Sequence, residues 1–277
     1  MRKYKITYKN NWFEIVDFGA TVISCNIQGD SILFLSNKAL LDESKPIRGG
    51  IPIVFPVFGN SNNNKMPKHG FARQTKWNFV KKYKNENYSG IIFELNSDEY
   101  TKKLWDYDFK LRYEVIINEN SLKNELQVYN NDNKTIDFDL LFHTYYNINN
   151  IENTIIHNIP EHYYDQLTNN INSNTEENMI INKEVDHIYE KNINRINIKS
   201  ENKNYNISCS NNKYDKVSFV FWNPWIYKSK TLTDFDDDEY KKMLCIEPGI
   251  IENTLLNEKN VSLLPKYHFY FSQEISK

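Results

Sequence analysis

The chain has three cysteines in 277 residues, Cys25, Cys209 and Cys245, and they lie far apart. So sparse and odd a set fits free, buried thiols in a reducing compartment better than a disulfide framework. Cys-x-x-Cys, His-Glu-x-x-His and zinc-finger spacings are missing, which argues against a metal site. Missing too are Gly-x-Gly-x-x-Gly and P-loop sequences, so no nucleotide or other cofactor is expected. No uncharged apolar run approaches the ~18 residues of a membrane span. Met1 to Glu14 mixes charges with isolated apolar residues and lacks the apolar core of a secretory signal, so the expected location is the cytoplasm. Neither sign of charge dominates: 34 basic against 36 acidic side chains give a net −2, leaving no electrostatic footprint for nucleic acid. Alanine is nearly absent, whereas asparagine supplies about 15% of residues. Asn, Lys, Ile and Tyr share AT-rich codons, so the bias reads as genome drift, and triplets such as Asn87-Tyr88-Ser89 read as chance rather than glycosylation sites.

Large apolar side chains are abundant. Apolar residues make up 40% of the chain and aromatics 14%, with 5 Trp, 16 Phe and 19 Tyr. That excludes a disordered chain, and a chain of this length buries roughly 70–75% of the surface it exposes when unfolded. Helical periodicity is scarce. Short or alternating apolar runs recur instead: Trp12 to Val16, Thr21 to Ile27, Ile32 to Leu35, Trp77 to Lys81, Gly90 to Leu95, Phe109 to Ile117, Ser121 to Tyr129, Thr135 to Phe142, Lys216 to Phe221 and Val261 to Phe271. Each is bounded by Asn, Asp, Gly, Ser or Lys clusters, the pattern of many closely spaced strands. The expected fold class is all-β, an antiparallel sandwich or barrel. Alternation from Phe109 onward puts Tyr113, Val115 and Ile117 on one face. Gly29-Asp30 reads as a hairpin turn, Asn60 to Lys65 and Thr168 to Glu177 as loops, and Asp237 to Met243 as a short helix. With no fixed-period repeat and no change of composition across the loops, residues 1–277 read as one domain.

Four segments carry chemistry. In Ile47-Arg48-Gly49-Gly50-Ile51-Pro52, two glycines allow a tight turn that presents an arginine fork to an oxyanion, or simply a surface arginine beside a structural turn. Pro67-Lys68-His69-Gly70-Phe71-Ala72-Arg73 packs three potentially cationic side chains between small residues; Lys68, His69 and Arg73 could hold a phosphate or form a solvated basic loop. His143 follows the apolar run ending at Phe142; it is either a satisfied core histidine or the natural acid/base at neutral pH. Glu247 follows the apolar stretch Met243 to Ile246, where a carboxylate is costly unless paired, bonded or functional. The run Asp234 to Glu239 lacks the spacing of a calcium loop and reads as a solvated acidic loop. Trp222 and Trp225, around Asn223-Pro224, could offer a sugar a stacking face but read more simply as core. His157, His162, His187 and His268 have no partner pattern.

Taken in order, these segments resemble the aldose 1-epimerase (galactose mutarotase-like) superfamily, and within it the hexose-6-phosphate branch. The resemblance runs through Phe34-Leu35-Ser36, Lys45 to Pro52, His69 to Arg73, Phe142-His143-Thr144-Tyr145, Glu184 to Tyr189, Trp222 to Trp225 and Cys245-Ile246-Glu247-Pro248-Gly249, covering nearly the whole chain. It implies a large antiparallel β-sandwich with the sugar site in a cleft on one face. It implies further that His143 is the catalytic acid and Glu247 the base, with Arg48, Arg73 and Asp186 binding substrate and the arginines near a phosphate. Lys68 and His69 belong to the same expected binding set. Two positions depart from the branch: Lys68 stands where Gln is common, adding a cation, and His187 stands where Arg is frequent.

The implied reaction needs few parts. Interconverting anomers of a hexose 6-phosphate requires one group to take the proton of the anomeric hydroxyl and another to protonate the ring oxygen, so an ionised carboxylate and an imidazolium on opposite sides of the C1–O5 unit suffice. The expected partner is thus a small sugar phosphate, with no nucleic acid, membrane, metal or cofactor, and the chain is expected to be a monomer. Two rivals stay open: an epimerase for unphosphorylated aldoses, and a sugar-phosphate-binding module without turnover.

Overall fold

The computed structural model describes residues 1–61 and 65–277. Alternation in the sequence becomes alternation in burial. Along Phe109–Ile117 every second residue is buried, and Tyr113, Val115 and Ile117 share the inner face. This strand pairs with Ser121–Asn130 from Phe109 opposite Asn130 to Ile117 opposite Leu122. The two belong to a nine-stranded antiparallel sheet, in the order Asn178–Ile180, Thr154–His157, Arg195–Ser200, Lys203–Asn211, His268–Ser276, Ser121–Asn130, Phe109–Ile117, Ser89–Asn96 and Asn78–Lys84. The strand nearest the C-terminus therefore lies in the middle of the sheet.

A second sheet has eight strands. Its path runs Asn170–Ser173, His162–Asp165, Val185–Ile193, Val217–Asn223, Met243–Ile250, Leu140–Phe142 and Ile53–Val54, with Tyr145–Asn147 also paired to Met243–Ile250. Aromatic contacts join the sheets: Phe142 lies 6.0 Å from Tyr113 and 5.5 Å from Phe271 between ring centroids. Gln273, fully buried in the first sheet, accepts from Thr144 Oγ1 (2.9 Å) and donates to the Tyr146 hydroxyl (2.8 Å), so the polar link between sheets is satisfied. A four-stranded sheet (Lys3–Tyr8, Asn11–Val16, Val22–Ile27, Asp30–Ser31) and the pair Ile136–Phe138 with Val261–Leu263 complete the structure. The large antiparallel sandwich is as expected.

Several local expectations change. The hairpin turn lies one residue earlier than Gly29-Asp30: Gln28 and Gly29 both take positive φ (52° and 88°), and Asp30 already pairs with Ile27. Thr135 to Phe142 splits at Asp139, whose carboxylate accepts the backbone N–H of Phe58 (2.8 Å) and of Glu252 (2.9 Å). Val261 to Phe271 splits around Pro265, which has no N–H for a ladder. Ile32 to Leu35 makes only isolated bridges. Thr168 to Glu177 is not all loop, since Asn170–Ser173 is a strand. The expected helix at Asp237 to Met243 is a 3₁₀ turn, Glu239–Lys242. A true helix, Glu99–Leu104, starts at Asp98, whose side chain accepts the Thr101 N–H at 2.8 Å. Of the loop expected at 60–65, residues 62–64 lie outside the described residues. All three cysteines are buried and free. No helix among the described residues is long and apolar enough to cross a membrane.

Candidate active site

Three neighbouring strands of the eight-stranded sheet build one wall of a cleft. Met243–Ile250 is buried along its length, and the period of two turns Cys245 and Glu247 to the same face. Val220 stands opposite Glu247 and Trp222 opposite Cys245. Asp186, one strand further, stands opposite Trp222. Val220, Trp222, Asp186 and Glu247 all line a cleft of about 520 Å³.

His143 enters from the end of Leu140–Phe142, where its N–H binds the Pro52 carbonyl (2.9 Å) and leaves the strand ladder. Its Nδ1 lies 3.1 Å from Glu247 Oε1, but out of line for a hydrogen bond. The imidazole stacks flat on Tyr145, with centroids 4.7 Å apart and 3° between planes. Glu247 is only 2% exposed and His143 8%. Burial, with Asp186 adding to it, pushes the Glu247 carboxyl well above its ordinary range. Burial, with His69, Arg73 and Arg48 adding to it, pushes His143 well below. The environment of the pair thus favours the uncharged forms over the expected ion pair. The two groups are also neighbours, not groups facing each other across a gap.

The cationic wall comes from two turns. Gly50 has φ 68°, and a Cβ there would stand 2.0 Å from the Val22 carbonyl oxygen, so this close crossing requires glycine. It sets Arg48 at the lip, where Nε donates to Asp234 Oδ1 (3.2 Å) and a terminal nitrogen to the Tyr145 hydroxyl (3.3 Å). Burial works against the Arg48 charge, but Tyr145 and Asp234 more than offset it and hold its pKa above the ordinary value. Arg73 follows the second turn. One terminal nitrogen donates to the Lys68 carbonyl (2.8 Å), while its Nε is buried without a partner.

All seven residues expected at the site, His143, Glu247, Arg48, Arg73, Asp186, Lys68 and His69, line this cleft. His69 is there as a neutral ring and not as a cation. Its Nδ1 accepts the Gly59 N–H (3.1 Å), and burial, reinforced by Arg73 and Lys68, lowers its pKa to about 2. Asp186 receives Gln166 Nε2 at 2.5 Å, and burial raises its pKa to about 6. His187, next in the chain, points away from the cleft and stacks on Tyr163 (4.2 Å), so that departure from the branch pattern does not touch the cleft. Asp234 corrects the reading of the acidic run as solvated: it is buried against Arg48, and Glu239 accepts from Ser36 Oγ (2.6 Å) and the Asn37 N–H (2.8 Å). The available signal was Phe235, an aromatic residue inside the acidic run and fully buried. Trp222 lines the cleft and is not plain core. Tyr145, Gln166, Glu184 and Lys228 line it as well.

Comparison with known proteins points the same way. The family model described as aldose 1-epimerase matches residues 2–263. A protein from Cenchrus ciliaris, provisionally named a glucose-6-phosphate 1-epimerase, is 31% identical over 266 residues, covering 89% of this chain and 77% of its own. One from Escherichia coli K12 with the same provisional name is 27% identical over 238 residues, covering 85% and 79%. The crystal structure of a provisionally assigned mutarotase from Salmonella typhimurium superposes with a TM-score of 0.88 at 23% identity, covering 99% of this chain and 89% of that one. That likeness concerns the fold, whereas the family match spans almost the whole sequence: the chain belongs to the aldose 1-epimerase family.

Proposed function

We propose that this protein interconverts the α and β anomers of a hexose 6-phosphate, glucose 6-phosphate foremost, by acid/base ring opening and reclosure. The observation that carries the reading is a buried carboxyl–imidazole pair, 3.1 Å apart, in the same cleft as Arg48, Arg73 and Lys68. The names of the relatives support the same substrate class.

The anomeric hydroxyl and the ring oxygen hang from one carbon, so two neighbouring groups can reach both. Glu247 takes the hydroxyl proton while His143 protonates the ring oxygen as its bond to C1 breaks. The open aldehyde turns about C1–C2 and closes on its other face, with the roles exchanged. His143 Nδ1 is turned to Glu247, which leaves Nε2 for the substrate. In its charged form the pair offers one donor, His143 Nε2–H, and one acceptor, the Glu247 carboxylate. Sugar hydroxyls donating to the carboxylate favour the ionised form of Glu247. Asp186 accepts from further hydroxyls. Arg48 and Arg73 present forks to the phosphate, with the unpartnered Arg73 Nε as a ready donor, and Lys68 adds charge.

Magnetisation-transfer NMR tests this directly. Anomer exchange of glucose 6-phosphate should accelerate strongly and that of glucose much less. Glu247→Gln should lose about 10²–10⁴-fold, the usual worth of a positioned proton transfer. Near-normal turnover by Glu247→Gln would sink the acid/base assignment. Equal acceleration of both sugars would remove the phosphate from the proposal.

A further inference from the structure

We propose that the floor of this cleft is also a zinc site, in which His143 Nδ1, Cys245 Sγ and a Glu247 carboxylate oxygen capture Zn²⁺ and thereby block turnover; the inhibition, though not the binding, rests on the function proposed above. The three ligand atoms lie within 4.8 Å of one another. Tetrahedral zinc with bonds of about 2.0–2.3 Å spaces its ligands about 3.3–3.8 Å apart. The His143–Glu247 distance of 3.1 Å is already close to that spacing. The remaining approach is the length of a side-chain rotation.

Three features make this more than proximity. Nδ1 of His143, on a ring nine-tenths buried, makes no hydrogen bond, so its lone pair is free for a metal without breaking a contact. The donor set of imidazole, thiolate and carboxylate suits a borderline-soft ion. The charges also close: Zn²⁺ with one thiolate and one carboxylate is neutral, which suits a buried floor better than either anion alone. Cys245 is fully buried between its strand partners Trp222 and Tyr145, whereas His143 and Glu247 line the cleft, so zinc arriving through the cleft meets His143 and Glu247 first. Three protein ligands leave the fourth position open toward the cleft. Arg48 and Arg73 oppose the approach of a cation and set the affinity below that of a dedicated structural site.

Binding is balanced by proton loss. The S–H bond of Cys245 breaks, its proton goes to solvent, and an S–Zn bond forms; any proton on Glu247 leaves likewise. The imidazole binds through Nδ1 and keeps its proton on Nε2. The sequence hides this site because His143 lies about a hundred residues before Cys245 and Glu247 and meets them through the pairing of Leu141 with Gly249 and of Tyr145 with Cys245.

The test uses the whole protein and two probes. Co²⁺ should give a thiolate-to-cobalt charge-transfer band in the wild type and in Cys209→Ala, and none in Cys245→Ala. Zn²⁺ should inhibit wild-type anomer exchange, and Cys245→Ala, with basal exchange retained, should need at least about 100-fold more zinc, since even outer-shell partners are worth about 10–100-fold. Hexose 6-phosphate should weaken Zn²⁺ binding to the wild type, a readout that needs no variant to fold. No cobalt–thiolate band in the wild type, or a band that survives Cys245→Ala, overturns the zinc site; Cys245-dependent binding that is indifferent to the sugar phosphate overturns the blocking of turnover. A Cys245-dependent band in a protein without epimerase activity would keep the zinc site and overturn the proposed function instead.

Discussion

Arg48 shows why residue type matters beyond charge. Its guanidinium touches Asp234 with one nitrogen and Tyr145 with another, and Tyr145 in turn stacks on His143. A lysine would keep the positive charge but not the planar fork that aims two separate nitrogens at the two partners. Arg48→Lys should therefore lower kcat/KM for glucose 6-phosphate by about tenfold or more, equivalent to about 1.4 kcal/mol. If only charge mattered, the variant would remain close to wild type in the same exchange assay. His187 makes a different point. Burial, partly opposed by Asp165, lowers its pKa to about 4 from an ordinary 6.5, so the unfolded chain takes up a proton at higher pH than the folded one. This group's contribution to stability is fully present above pH 6.5 and is lost as pH falls through about 4. His187→Phe keeps the aromatic stack on Tyr163 and removes a ring nitrogen, Nδ1, that has no partner. Its melting temperature should fall less between pH 7 and pH 5 than that of the wild type, by differential scanning calorimetry; equal falls would show that folding does not lower the His187 pKa.

At the scale of elements, the turn carrying Lys68, His69 and Arg73 depends on Gly70. Its φ is 75°, and a Cβ there would stand 2.0 Å from the Phe55 carbonyl oxygen, a backbone atom that cannot swing aside. Gly70→Ala should destabilise the protein by more than about 1 kcal/mol and raise KM for the sugar phosphate by displacing the cationic wall. Gly29 is the control: its φ is 88°, but nothing lies within 4 Å of the position a Cβ would take. Gly29→Ala should therefore show strain alone, a milder loss in urea unfolding and an unchanged KM. These elements also show what a sequence can tell. Phe109–Ile117 and Ser121–Asn130 were legible because one face is buried and the other wet. Asn170–Ser173 and Asn178–Ile180 were not: they lie at sheet ends with mostly exposed, Asn-rich side chains, so no alternation marks them. The residues that line the cleft were legible by type and order. Their electrostatics were not, because the pKa shifts of His69, His143 and Glu247 arise from burial and from charges brought in by distant segments.

For the whole molecule, the central place of His268–Ser276 decides how cooperative the fold is. This strand is hydrogen-bonded to Lys203–Asn211 on one side and Ser121–Asn130 on the other. Phe269, Phe271 and Ile275 are buried, and Gln273 supplies both partners of the polar link to Thr144 and Tyr146. A chain ending at Tyr267 would expose two unpaired edges in the middle of the sheet. It would also leave the Thr144 and Tyr146 hydroxyls buried with one partner fewer. Such a truncation should lack a cooperative urea transition and near-ultraviolet circular dichroism, whatever its content of strands. Asn78–Lys84 gives the contrast: it sits at the edge of the same sheet, and most of its side chains are exposed. Lys82→Pro there should cost stability yet leave one cooperative transition, because only one neighbour loses its pairing. Cooperative unfolding of the truncated chain would mean that the two large sheets hold together without their central strand, and the cleft floor, built from both Met243–Ile250 and the segment after Phe142, would then owe its geometry to the eight-stranded sheet alone.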